Sequence, residues 1–509
     1  MKRSLPDNIL EFMDWPWEKI EPFYVELQER EISTDNLAIW LSDWSRLLEY
    51  VYETFNRLYI NTSIDTTDEA AEQRYKYFLD EIFPKSEESE QKLKQKLLES
   101  GIEALDFEIP LRRMRYEVAI YQEKNLPLLS EEYKLSSEYD RIFGAQTIIW
   151  DGKETTLEQL KLVYQQTDRS LRERAWRAAA ERQLEDRQAV NNLWTRFLSL
   201  RKDLFENAGF NDYIAFRWKQ MKRFDYTPGD AKAFDQAIED VVVPIASRIY
   251  QKRQQSLGVD SLRPWDLLVD PLSRAPLKPF ENVNELERKS SRIFHNVHPE
   301  FGDYFDRMRN DNLLDMENRI GKAPGAYCTD LTSQRQPFIF MNAIGIHEDV
   351  QTLLHEAGHA FHVFATARLP YIQQTFSDME FAEVASMAME LLSAPYLTVD
   401  DGGFYTPEQA ARARIEHLES SILFWPYMAV VDLFQHWVYE NTLLARDPSN
   451  CDRVWGELWD RYMPGVDWSG FEEVKETGWQ RKLHIHQMPF YYIEYGLAQL
   501  GALQVFGRS

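Results

Sequence analysis

Residues 353–365 read LLHEAGHAFHVFA, and this run decides how the chain around it must fold. His355 and His359 stand four apart, one turn of helix, so both imidazoles face the same way and can meet one ion. Glu356 sits beside them. Val350, Leu353, Leu354, Ala357, Ala360, Phe361 and Val363 make the helix apolar nearly all round, which puts it inside the protein. Two buried imidazoles and a carboxylate are costly unless something satisfies them. A bound divalent cation does. With 10 histidines in 509 residues, HExxH is not a pattern that chance supplies readily.

Catalytic zinc has three protein ligands and one open position. The metzincin continuation is absent, because the slots for its glycine and third histidine hold His362 and Ala365. A downstream carboxylate is the other solution. Ser377-Asp378-Met379-Glu380 reads as a capping box that opens a helix, and Glu383 follows among Phe381, Ala382, Val384 and Ala385. Glu390 projects from the same face two turns on. Glu383 is therefore the expected third ligand of one Zn2+, with His355 and His359. Glu390 is expected to fix a ligating histidine from behind.

Four places then carry a resemblance. They are the helix Leu354 to Ala360; Glu383-Val384-Ala385-Ser386 with Glu390; Gly325-Ala326-Tyr327-Cys328 followed by Pro337-Phe338-Ile339-Phe340-Met341-Asn342; and His484 through Tyr495. Together they resemble the oligoendopeptidase F and thimet oligopeptidase family of zinc metallopeptidases, close to its Pz-peptidase-like bacterial branch. Weaker echoes lie at Asn207 to Tyr213 and at 146–156. The resemblance implies a mainly α, elongated, zincin-type peptidase with a deep substrate channel and a small β-sheet beside the HExxH helix. It also implies endopeptidase action on short peptides.

Phe338, Ile339 and Phe340 form an apolar run suited to a strand. An edge there would hold a peptide backbone by β-augmentation; a purely structural strand is the other reading. The family's His-then-Tyr set fits the C-terminal stretch in two registers. His484 with Tyr492 and Tyr495 is preferred, and His486 with Tyr491 and Tyr495 is the alternative. Either set would donate to the oxyanion of a tetrahedral intermediate. Cys328 falls near the active site in the resembled family. His295, His298, His347, His362, His417 and His436 read as structural or exposed.

The expected chemistry is hydrolysis by a zinc-bound water, with Glu356 as general base and then proton donor to the leaving amine. A metallocarboxypeptidase on a similar helical fold is an alternative, although no motif for a terminal carboxylate stands out. A non-catalytic helical peptide-binding protein with a retained metal site is the third reading, and the intact Glu356 weighs against it.

Working outward, the remainder reads as a globular enzyme: 44% hydrophobic, 28% charged, with only 20 Gly and 22 Pro, which disfavours a turn-rich β protein. The net charge of −25 repels phosphate backbones, so no nucleic acid is expected as partner. No apolar run is long enough for a membrane span, and none follows Lys2-Arg3 as a secretory signal. Two distant cysteines, Cys328 and Cys451, suit a reducing compartment, hence the cytoplasm. Residues 1–140 read as an amphipathic helical region with a stripe of Leu47, Leu48, Val51, Phe55 and Leu58, and 141–509 as the catalytic region. Ser86 to Ser100 looks like a solvated helix with a thin seam of Leu93, Leu97 and Leu98. Asp151-Gly152 marks a hairpin, Val259 to Pro279 an irregular loop, and Thr406-Pro407-Glu408-Gln409 a capped helix start.

Overall fold

The computed structural model describes residues 4–102 and 106–508. Helices dominate, as the composition predicts. In the N-terminal block Leu37–Ile64 is the central helix, and its stripe is buried at Leu47, Leu48, Val51 and Leu58 beside Trp40 and Trp44. The charged helix Phe83–Ser100 is not a solvated one. Leu93 and Leu97 are buried, and so is Glu90, which accepts a hydrogen bond from Trp44 Nε1 at 2.7 Å; Lys94 pairs with Glu117 at 2.9 Å. Charges that find partners can pack, and sequence alone does not reveal the partners.

The helix Leu126–Gly144 runs unbroken through position 140, so no linker lies there. Its Leu135 and Tyr139 already belong to a core shared with residues 193–243 and 428–493. Strands β1 (Thr147–Trp150) and β2 (Lys153–Thr156) form the expected hairpin, with Asp151 at φ 47° and Gly152 at φ 80° in the turn.

The second sheet corrects an expectation. Its strands are β3 (Leu314–Glu317), β4 (Tyr327–Leu331) and β5 (Gln336–Ala343), in the order β3-β5-β4. Phe338, Ile339 and Phe340 lie on the central strand, parallel to β3 on one side and antiparallel to β4 on the other. Both edges are used, so these residues cannot pair with a peptide. The physical reason is in the run itself: Ile339, Phe340 and Met341 are consecutive and all buried, the pattern of a strand covered on both faces.

Against this sheet packs the helix His347–Thr366, and against that helix Met379–Ser393. Gly358 makes the approach possible. A Cβ there would come within 2.5 Å of the Ser386 Cα and 2.6 Å of the Ala385 carbonyl oxygen. Met379–Ser393 also meets the C-terminal helix Ile493–Phe506, where a Cβ on Gly501 would strike Val384. The start of Met379–Ser393 is not held by a capping box: Asp378 is the N-cap but makes no cap hydrogen bond. Its carboxylate instead pairs at 2.6 Å with Arg113 of the N-terminal block, which also donates to the Phe376 carbonyl. At Thr406 the expected capping box with Gln409 is present, and Pro407 opens the long helix Pro407–Glu440. No helix among the described residues is long and apolar enough to cross a membrane.

Candidate metal centre

The two packed helices bring His355, His359 and Glu383 together. One ligand atom from each lies within 4.8 Å of the others, and among the described residues no other such set of His, Cys, Asp or Glu occurs. Glu383 Oε2 is 3.2 Å from His355 Nε2 and 3.4 Å from His359 Nε2. The supporting contacts are specific. His355 Nδ1 faces Glu390 Oε1 at 2.7 Å, so with its proton there the ring turns the Nε2 lone pair toward Glu383. Glu390 Oε2 in turn lies 3.6 Å from His417 Nε2. Ser386 Oγ donates to Glu383 Oε2 at 3.0 Å, and the Tyr491 hydroxyl donates to Glu383 Oε1.

Burial would raise the Glu383 carboxyl, but His359 and His355 outweigh it and hold the group well below the usual carboxylate range. Burial would lower His355, yet Glu383 and Glu390 carry it well above. This mutual dependence is what a site for a cation looks like in charge terms. Two imidazole nitrogens and one carboxylate oxygen, with His355 held by Glu390 and Glu383 by Ser386 and Tyr491, fit a divalent ion of zinc's class. Glu356 is buried next to them with no hydrogen-bond or ion-pair partner among the described residues, and burial raises its carboxyl against the opposing pull of His355 and His359.

Neither register of the C-terminal set survives whole. His484 Nε2 lies 3.3 Å from the Tyr495 hydroxyl, and Tyr495 packs 6.3 Å from the His355 ring. Tyr491, not Tyr492, has the hydroxyl that reaches Glu383. Tyr492 instead packs against Phe424 and Tyr427. His486 is fully buried, stacked on Trp479 with an interplanar angle of 9° and packed beside Tyr139 and Trp194. The assembled group is thus His484, Tyr491 and Tyr495. The cause is local: the helix ends at Gln487 and the next begins at Ile493, with Phe490 between them in the left-handed region at φ 63°. Pro489 lies in that turn and does not start the helix.

Other residues of the centre carried no motif. The turn is clamped by Arg223, which donates to the Phe490 carbonyl and pairs with buried Glu494 at 2.6 Å, and by Gln435, which accepts from Phe490 N at 2.7 Å. Such contacts join segments 55 to 271 positions apart, so no spacing announces them. Gly358 was visible as the small residue inside HExxH, and its packing meaning needed the second helix. Cys328 and Asp330 sit on β4, an edge strand of the sheet, where Asn56 Nδ2 donates to the Asp330 carbonyl at 2.8 Å. Cys328 is half-buried and its thiol is raised by burial, Asp330 and Glu356; burial pushes Asp330 up to about 6.

The family described as Peptidase family M3 matches residues 162–509, and its N-terminal domain, Peptidase M3 N-terminal domain, matches residues 10–105. The chain belongs to peptidase family M3. Within it, oligoendopeptidase F of Lactococcus lactis subsp. cremoris (chromosomal) is 26% identical over 162 residues, 31% of this chain and 26% of that protein. The oligoendopeptidase F homologue of Mycoplasma pneumoniae is 21% identical over 434 residues, 78% of this chain and 67% of its own length. The matches therefore span between about a quarter and two thirds of these curated M3 relatives. The solved structure described as Pz peptidase A with inhibitor 2 superposes with a TM-score of 0.90 at 27% identity, covering 100% of this chain and 89% of that one. The oligoendopeptidase-F structure from Enterococcus faecium has a TM-score of 0.61 at 14% identity, covers 97% of this chain and 86% of that one, and shares the fold.

Proposed function

We propose that this M3 peptidase is a zinc-dependent oligopeptidase that hydrolyses internal bonds of short peptides. The observation that carries the reading is the convergence of His355, His359 and Glu383 with an unpartnered, buried Glu356 beside them. The first three residues would hold the ion, which when bound supplies Lewis acidity toward the scissile carbonyl and acidifies water.

Glu356 takes the proton of the attacking water and passes it to the departing amine; its raised affinity for protons suits it to both steps. Tyr495, with His484 at 3.3 Å, donates toward the developing oxyanion. Burial and Lys482 hold His484 well below its ordinary value, so it works as a neutral imidazole. Tyr491 orients Glu383, and Glu390 keeps His355 in one tautomer. Backbone pairing with substrate is assigned to the outer edge of β4, since β5 has no edge to offer. The unpaired Cys328 and Cys451 support residence in the cytoplasm.

A quenched-fluorescence peptide assay tests the reading. Cleavage should stop with a chelator and return on adding zinc. Cleavage indifferent to the chelator, or products showing only single C-terminal residues released, would overturn it.

A further inference from the structure

Lys482 lies two residues before His484. Its Nζ sits 4.0 Å from the centroid of the Tyr492 ring and 5.5 Å from that of Tyr427, and the Tyr492 ring is 5.1 Å from His484. Among the described residues no carboxylate lies within ion-pair distance of this ammonium, and it makes no hydrogen bond. Of the other interior cations, Arg481 and Arg253 also lack a carboxylate among the described residues but donate to Thr477 and to backbone carbonyls, and others have acids. Lys94 has Glu117, Lys322 has Asp315, Arg172 has Asp266, Arg201 has Glu132, and Arg223 has Glu494.

An ammonium taken out of water needs a partner. Two aromatic faces attract it without neutralising it. Burial alone draws Lys482 down to about 7, with no acid to oppose the fall. Lys482 is half-buried rather than sealed, so a group arriving in the site can reach it. The nearby centre carries Glu356, Glu383 and Glu390, so Lys482 is a cationic point beside an acidic one.

We infer that Lys482 is the docking point for a carboxylate of the substrate peptide, and so a specificity-determining residue. This rests on the peptidase reading above. The carboxylate has two sources with the same chemistry: the peptide's own C-terminus, or an Asp or Glu side chain near the cleaved bond. A bound carboxylate would complete the ion pair that the fold omits and would keep Lys482 charged. It would also set which short peptides are preferred without adding a wall to the site.

One peptide series separates these sources. It contains a free C-terminus and its amide, and a glutamate scanned through the positions flanking the cleaved bond with glutamine as the neutral match. At least one carboxylate form should be cleaved about tenfold or more better in kcat/KM than its neutral match, mainly through KM. Lys482→Met should bring that ratio near one, and Lys482→Arg should restore it. Wild-type ratios near one throughout, or a ratio that Lys482→Met leaves intact, would overturn the assignment. If the zinc-loaded protein cleaves no peptide, the peptidase reading itself falls. Fluorescence-polarisation binding of the same peptides to Glu356→Gln protein, with and without Lys482→Met, then decides on Lys482 alone. A charge preference abolished by Lys482→Met supports it, and equal affinities refute it.

Discussion

Two clusters in this protein set imidazoles and carboxyls one helical turn apart and end differently. At the candidate centre, His355 and His359 stand one helical turn apart and Glu383 meets them from a second helix. On the long helix, Asp432 and His436 also stand one turn apart, 3.3 Å from each other, and Asp235 meets Asp432 from the helix Pro228–Ala237. The second set is sealed from solvent, whereas in the first Glu383 is buried and the two histidines are partly exposed. The second has one imidazole and two carboxyls. Burial, together with the facing Asp432, pushes Asp235 up to about 10, so the pair keeps one proton. A proton there does what a metal ion is proposed to do at the first. Helical spacing is shared; the number of imidazoles and the groups behind them, Glu390, Ser386 and Tyr491, make the difference.

The largest test of that contrast is Glu383→Ala. It should cut metal content, read by elemental analysis, and take turnover below detection, whereas Asp432→Ala should leave metal content as it is. Next, Glu356→Gln should keep the metal and lose about 10²–10⁴ in kcat; near-normal turnover would remove the general-base role. Tyr495→Phe should cost about 10²–10³ in kcat, the loss of one oxyanion donor, while Tyr492→Phe should stay within a few-fold. Glu390→Gln should weaken zinc binding by about 10–100-fold in a competition titration with a chromophoric chelator. Unchanged affinity would make Glu390 a bystander.

The smallest effect belongs to the second cluster. The folded pair holds its proton to about pH 10, while an unfolded aspartate loses it near pH ~4. Folding therefore takes up a proton between those values, and this contribution to stability is full below that window and lost as pH rises through it. Tm should fall from pH 7 to pH 9, and Asp235→Asn should flatten the fall without touching metal content. An unaltered slope would show that the pair does not share a proton.

How legible the site was depended on how far apart its parts lie in sequence. His355, Glu356, His359, Glu383 and Glu390 were singled out because helical geometry converts spacing directly into a shared face. The family's spacing admits Tyr492 or Tyr491 beside Tyr495, and only the turn at Phe490, with φ 63°, brings the Tyr491 hydroxyl to Glu383. The run Phe338–Phe340 was recognisable as strand, but not as the middle of one sheet, since pairing partners are set by β3 and β4. Lys482 belongs to no motif. What marks it is the lack of an acid nearby, and that exists only in three dimensions.

The chain by itself determined that it is mainly helical, that a buried HExxH helix needs a partner for its polar groups, and which carboxylates could supply one. Those follow from local periodicity and from the cost of burying unsatisfied charge. Only the tertiary structure decided which histidine and tyrosines stand near that helix, which strand lies in the middle of the sheet, and that Lys482 lies among aromatic rings with no acid beside it. Each of these depends on two distant segments touching, and a linear order of residues carries no distance between them.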